Sequence, residues 1–194
     1  MSRTLLALCL LAALPGFAAE EGLVGAWNCD EGQGERLTDS SGHGNTGVIH
    51  GATFVKQGRG YALHFDGMDD YVDCGRGASL DLRGPLNLEA WIKPETLASG
   101  EPLILGKYYD SYGLTLYKDG NFWFYISGGG NNVNARAELR AWQHVVATFD
   151  GTEMKLYVNH HHVSTHRSKA STAAAGKNFL MGVLTADPNA TDPG

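Results

Sequence analysis

The sequence predicts an all-β fold, a two-sheet antiparallel β-sandwich, and three observations carry that prediction. Apolar residues recur with period two rather than with the helical period. Glycine is abundant, 26 residues of 194 against 6 prolines, which suits short strands joined by tight turns. Turn signals recur every ten or so residues, the spacing of sandwiches and barrels. A parallel sheet needs crossover helices, and no helical pattern is present.

Residues 1–18 read as a signal peptide outside the fold. Arg3 supplies the positive start, Leu5 to Leu14 is an unbroken apolar run, and Gly16 and Ala18 occupy the small-residue positions of a cleavage site after Ala18. The run is shorter than the roughly 20 residues of a membrane span, so an exported protein with no membrane span is expected. The domain is then 19–194, long enough to bury a sizeable core. Net charge is −6 and carries no basic stripe, which argues against a nucleic-acid partner. Cys9 leaves with the leader. Cys29 and Cys74 remain, and an oxidising compartment favours a Cys29–Cys74 disulfide. The alternative is two buried thiols packing as small apolar groups.

The C-terminal half is the more regular. Leu86, Leu88, Ala90 and Ile92 alternate with Asn87, Glu89, Trp91 and Lys93, the pattern of a half-buried strand. Tyr112–Tyr117 and Phe122–Ser127 flank Lys118-Asp119-Gly120-Asn121. His144–Phe149 and Met154–Val158 flank Asp150-Gly151. Asp-Gly between alternating runs is a hairpin signal whose turn positions call for positive φ. Val158 and Val163 flank a third turn at Asn159–His162, and Phe179–Val183 reads as a further strand. Ahead of these, Leu23–Cys29, Thr46–His50, Tyr61–Phe65 and Tyr71–Cys74 read as short strands between glycine-rich loops.

Several segments in order carry a resemblance. They are Trp27-Asn28-Cys29-Asp30-Glu31-Gly32-Gln33-Gly34, Asp39-Ser40-Ser41-Gly42-His43-Gly44-Asn45, Ala62-Leu63-His64-Phe65-Asp66-Gly67-Met68-Asp69-Asp70-Tyr71-Val72 and Leu88-Glu89-Ala90-Trp91-Ile92. Trp142 to Gly151 and Lys155-Leu156-Tyr157-Val158-Asn159 follow. In this order and spacing the chain resembles the LamG-like jelly-roll family, relatives of laminin G domains, pentraxins and concanavalin A-like lectins. The resemblance runs from about Gly22 to the last residue. It implies a jelly roll of the concanavalin A-like kind. Members usually finish with an acidic strand of the type Ile-Asp-Glu-Val-Arg-Ile-Tyr. That strand is missing here, so the domain is expected to be truncated at its C-terminus and to be part of a longer protein. The pentraxin disulfide aligns near Glu89 and Val146, where this chain has no cysteine.

Two loop clusters are candidate calcium sites. Asp39, Asn45, Asp66, Asp69 and Asp70 lie on glycine-rich loops, which supply the hard oxygens that calcium takes. Asp39, Asn45 and Asp70 are the chosen ligands, and the Asp39–Asn45 loop is the leading position. The competing account is that these are turn residues bonding their own backbone. The resemblance to pentraxins implies a second, ligand-bridging site that pairs Asp110 with Asp187, Asn189 and Asp192.

Aromatic residues suggest a ligand platform. Trp123 and Tyr125 alternate with Phe122, Phe124 and Ile126, so one set faces the core and the other faces out. Tyr117 lies across the same hairpin. Exposed aromatic rings can stack on the apolar face of a sugar; packing within the fold is the alternative use. His160, His161, His162 and His166 suggest a metal tract, but adjacent strand residues point to opposite faces. Catalysis has no good constellation. Glycosidases need two carboxylates facing each other across a cleft, and Glu89 has Asn87 and Trp91 two positions away. The resemblance therefore implies a secreted, non-catalytic binding module for a glycan or an extracellular protein. A structural or adhesion domain is the alternative, with a glycoside hydrolase or lyase behind it.

Overall fold

The computed structural model describes residues 22–97, 101–107, 111–127, 130–172 and 176–182. The strands in chain order are β1 (Arg36–Leu37), β2 (Gly47–His50), β3 (Thr53–Gln57), β4 (Gly60–His64) and β5 (Tyr71–Asp73). After a single 3-10 turn at Ala78–Leu80 come β6 (Leu86–Ile92), β7 (Leu103–Lys107), β8 (Tyr112–Leu116), β9 (Asn121–Ile126) and β10 (Asn132–Arg136). The chain continues through β11 (Gln143–Phe149), β12 (Glu153–Val158), β13 (His161–Arg167) and β14 (Leu180–Met181).

These strands form an eight-stranded sheet in the order β1-β2-β5-β14-β7-β8-β9-β10 and a four-stranded sheet in the order β13-β12-β11-β6. The hairpin β3-β4 stands apart. Every pairing is antiparallel. The core lies between the two large layers. Leu86, Leu88, Ala90 and Ile92 of β6 are buried while Asn87 and Glu89 are exposed. Val145, Ala147 and Phe149 of β11 and Met154 and Leu156 of β12 share that inward face. They meet Leu114, Leu116, Phe122, Phe124 and Met181 of the larger sheet in one apolar cluster. This is the alternation on which the sandwich prediction rests.

Each hairpin differs in detail from the sequence expectation. At Asp119-Gly120 and Asp150-Gly151 only the glycine has positive φ, +82° and +100°. The Gly120 N–H donates to the Tyr117 carbonyl at 2.9 Å and the Tyr117 N–H to the Asn121 carbonyl at 2.8 Å. That geometry is a turn closed by a left-handed glycine rather than a two-residue primed turn. The primed form occurs at Asn159-His160, where both residues have positive φ, 50° and 67°. The turn is therefore two residues long, and β13 begins at His161 rather than at Val163.

Leu23–Cys29 is not a strand. One isolated bridge joins Trp27 to Asp39, and loop side chains satisfy the rest of the segment. The Ala26 carbonyl accepts from the Ser40 N–H at 2.8 Å. The Val24 carbonyl accepts from the Asn45 amide at 2.8 Å.

The expected Cys29–Cys74 disulfide is not formed. Both sulfurs are buried, at 0% and 4% exposure, within the main apolar cluster. Burial, with the charges of Asp73 and Asp39, pushes the Cys74 thiol well above its ordinary value, so it stays protonated and packs as an apolar group.

Candidate functional site

The outer face of the eight-stranded sheet is built by strict alternation on β9. Phe122, Phe124 and Ile126 point into the core at 0% exposure, which turns Asn121, Trp123 and Tyr125 outward. Register then decides what each outward residue meets. Trp123 lies opposite Thr115 on β8 and Asn134 on β10. Its ring lies 4.8 Å from that of Tyr117, tilted by 31°. The indole N–H donates to Asp119 Oδ2 at 3.2 Å, which locks the rotamer. Asp119 also accepts from the Asn121 N–H and amide, each at 2.9 Å. The Arg136 guanidinium donates to the Asp119 carbonyl at 2.8 Å. The Lys118 ammonium sits 5.5 Å from the centre of the Tyr117 ring. The result is a half-exposed tyrosine–tryptophan pair rimmed by Lys118, Arg136 and Asn134, all three exposed.

Tyr125 does not extend this platform. It shares the face of Trp123 but is only 8% exposed and packs with Leu103 and Leu180, with Tyr71 against them. A β-carbon at Gly113, the residue paired with Tyr125, would meet the tyrosine hydroxyl at 2.4 Å. The ring therefore occupies the space that the glycine leaves open. Its hydroxyl donates to the Lys107 carbonyl at 3.4 Å.

The acidic loops separate into two places. Asp39 closes the 39–45 loop onto the preceding segment. Oδ1 accepts from the Ala26 N–H at 3.0 Å and the Ser41 N–H at 2.9 Å, and Oδ2 accepts from the Asn45 N–H at 2.8 Å. Burial pushes this carboxyl up, but hydrogen bonds from the Ser41 side chain and from the Ala26, Ser41 and Asn45 backbone outweigh it and hold it below its ordinary value. With those bonds made, the acceptor positions of the carboxylate are taken by the protein. The Asn45 amide donates to Val24 and to Ser79 Oγ, and the Asn45 carbonyl accepts from the Trp27 indole at 2.8 Å.

Asp70 belongs elsewhere, with Asp66 and Asp69, where one oxygen of each carboxylate lies within 4.8 Å of the others. Asp70 Oδ2 accepts the Asp66 N–H at 2.7 Å. Burial, together with the charges of Asp66 and Asp69, raises the Asp70 carboxyl. Asp110, Asp187, Asn189 and Asp192 lie outside the described residues.

Sequence reasoning missed a second constellation, on the outer face of the four-stranded sheet. His144 of β11 pairs in register with Trp91 of β6. The two rings stack at 5.0 Å, and the His160 ring approaches His144 from the other hairpin at 4.9 Å. His144 Nε2 donates to Glu89 Oε1 at 2.8 Å. Period two puts His144, Glu89 and Trp91 on one face, but only the register between β6 and β11 brings them together.

Alongside β6, a cavity of about 680 Å³ is walled by Leu23 to Gly25 and by Leu86 to Glu89, with Leu105 and Tyr112 among its apolar lining.

Residues 65–193 match the family described as the Concanavalin A-like lectin/glucanases superfamily. No curated protein matches the chain. Among solved structures, the chain is similar to domain 4 of AbnA, a GH43 extracellular arabinanase from Geobacillus stearothermophilus in complex with arabinotriose. Identity is 18%, the TM-score is 0.61, and 78% of this chain and 80% of that one are covered. It is similar to a Trypanosoma rangeli sialidase in complex with a difluoro sugar analogue, at 18% identity and a TM-score of 0.61. There 93% of this chain covers 31% of that one. The binding domain of Botulinum Neurotoxin DC in complex with SialylT matches at 10% identity and a TM-score of 0.50, covering 94% of this chain and 44% of that one.

Proposed function

From the premise that the chain belongs to the Concanavalin A-like lectin/glucanases superfamily, we propose that it is an exported, non-catalytic binding module whose ligand is a carbohydrate. The observation that carries this reading is the Tyr117–Trp123 pair. The inward face of β9 already fills the core, so this pair is not needed there. It lies half-exposed instead, held in one rotamer by Asp119 and rimmed by exposed donors. A sugar ring offers an apolar C–H face for such a pair and hydroxyls for such a rim. The arabinotriose-bound and SialylT-bound neighbours lend the reading support as folds that present sugars.

Export rests on the apolar leader at Leu5–Leu14 followed by Ala18. No helix among the described residues is long and apolar enough to cross a membrane. A structural calcium ion belongs to the same reading, placed at Asp66, Asp69 and Asp70 rather than at Asp39, because the Asp39 lone pairs are already engaged. The test is affinity electrophoresis against a panel of neutral and acidic polysaccharides. Retardation by at least one polysaccharide, abolished by Trp123→Ala in a variant that still melts cooperatively, is the expected result. Retardation that Trp123→Ala leaves intact overturns the platform.

A further inference from the structure

A second site lies on the other sheet, and its key is an orphaned atom. His144 is 8% exposed at its side chain. A carboxylate only accepts hydrogen bonds, so the contact with Glu89 Oε1 at 2.8 Å puts the proton of the neutral ring on Nε2. In that neutral ring Nδ1 is a bare lone pair, buried and with no hydrogen-bond partner among the described residues. Leaving such an atom unsatisfied is costly, and the main chain makes it difficult to relieve by moving. The His144 N–H donates to Asn159 Oδ1 at 3.0 Å, and the Asn159 N–H donates to the His144 carbonyl at 2.8 Å. Trp91 stacks on the ring at 5.0 Å.

The neighbour that can complete the arrangement is His160. Its backbone sits at φ 67° in the tight turn after β12, and its exposed side chain lies with its ring centre 4.9 Å from that of His144, tilted by 46°. A divalent ion held at about 2.1 Å by one nitrogen of each of two rings places their centres about 4.6–5.3 Å apart for ligand angles of about 90–110°. The observed separation falls within that window. A carboxylate that fixes the far nitrogen of a ligating imidazole is also the usual outer support of such a metal, and Glu89 stands in that position. Glu89 remains 45% exposed at its side chain, so its own charge is offset in part by water until a cation arrives.

We propose that His144 Nδ1 and His160 form a two-imidazole site for a borderline divalent transition metal, zinc or copper, with Glu89 as the positioning carboxylate and water in the remaining coordination positions. The other histidines of the His160–His166 tract take no part. His162 is turned to Thr165 at 2.7 Å, and His166 pairs in register with Met154 on β12. The site is independent of the Tyr117–Trp123 platform, which lies on the opposite sheet.

The test titrates untagged full-chain protein with zinc chloride in competition with a colorimetric chelator and follows copper(II) binding by electron paramagnetic resonance. One equivalent of zinc is expected, with nitrogen hyperfine structure from two imidazoles in the copper spectrum. His160→Gln should weaken zinc binding at least tenfold, Glu89→Gln about tenfold, and His162→Gln and His166→Gln not at all. Should His144→Gln fail to fold, His160→Gln decides, because that side chain is exposed on a turn. Absence of stoichiometric binding of either metal overturns the proposal. So does full affinity in His160→Gln, or equal losses in His162→Gln and His166→Gln.

Discussion

Replacing Asp39 with alanine separates a loop lock from a metal ligand. The carboxylate accepts three backbone N–H groups at 2.8–3.0 Å and is 9% exposed. Hydrogen bonds to an ionised acceptor contribute about 1.5–3 kcal/mol each and are not additive. All three freed donors, on Ala26, Ser41 and Asn45, remain in buried residues. The loss for Asp39→Ala is therefore about 3–5 kcal/mol, a large part of the roughly 5–15 kcal/mol that holds a domain together. In urea at neutral pH the midpoint should fall by about 1.5–2.5 M with an unchanged slope, taking a slope of about 2 kcal/mol/M. Asp39→Asn keeps one acceptor and presents an amide donor to an N–H, so its loss should fall between wild type and alanine. The pH dependence has a defined sign. The folded carboxyl lies below its ordinary value, so its stabilisation is complete above the unfolded pKa and disappears as pH falls through the folded one. The gap between wild type and Asp39→Ala should close only in acid. A loss under about 0.5 kcal/mol, or a loss seen only when calcium is present, would refute this account of the loop.

Four further outcomes are expected. Calcium should raise the melting temperature at neutral pH, and Asp69→Asn should remove that rise. The Asp70 carboxyl is raised by burial and by its acidic neighbours, so without a cation its contribution is present in acid and is lost as pH rises through the folded pKa; a bound cation reverses this, and melts across pH with calcium or chelator read it. Asp81→Ala should cost about 2 kcal/mol or more, because the Lys107 ammonium, 1% exposed, loses its only ion-pair partner among the described residues; chemical denaturation measures it. Gly113→Ala should destabilise by about 1–3 kcal/mol, since its β-carbon would meet the Tyr125 hydroxyl at 2.4 Å and Leu103 at 2.9 Å, and a thermal melt reads the loss.

The sandwich was legible wherever one strand carries its own evidence. The alternation of β6 predicts its buried face residue by residue, and the Asp-Gly signals place two hairpins whose ends need little correction. Legibility stops where a residue's role depends on a strand distant in sequence. Tyr125 and Trp123 look alike on β9. One is buried because β8 presents Gly113 beneath it, and the other stays half-exposed beside Thr115. Leu23–Cys29 has a strand's composition, but Asp39, Ser40 and Asn45 capture its polar groups before another strand does. The two-residue strand β1 carries too short a pattern to read. Asp39 and Asp70 are alike as acids on glycine-rich loops. Three N–H donors converge on the first and two carboxylates on the second, and that difference is tertiary.

The most direct test of the binding account is calorimetric titration of a soluble oligosaccharide, chosen from the polysaccharide that retards the protein, into wild type and Trp123→Ala side by side. The account predicts a saturable heat for wild type and an affinity at least tenfold weaker, about 1.4 kcal/mol, for a variant whose melt is unchanged. Equal affinity in the two proteins would contradict it.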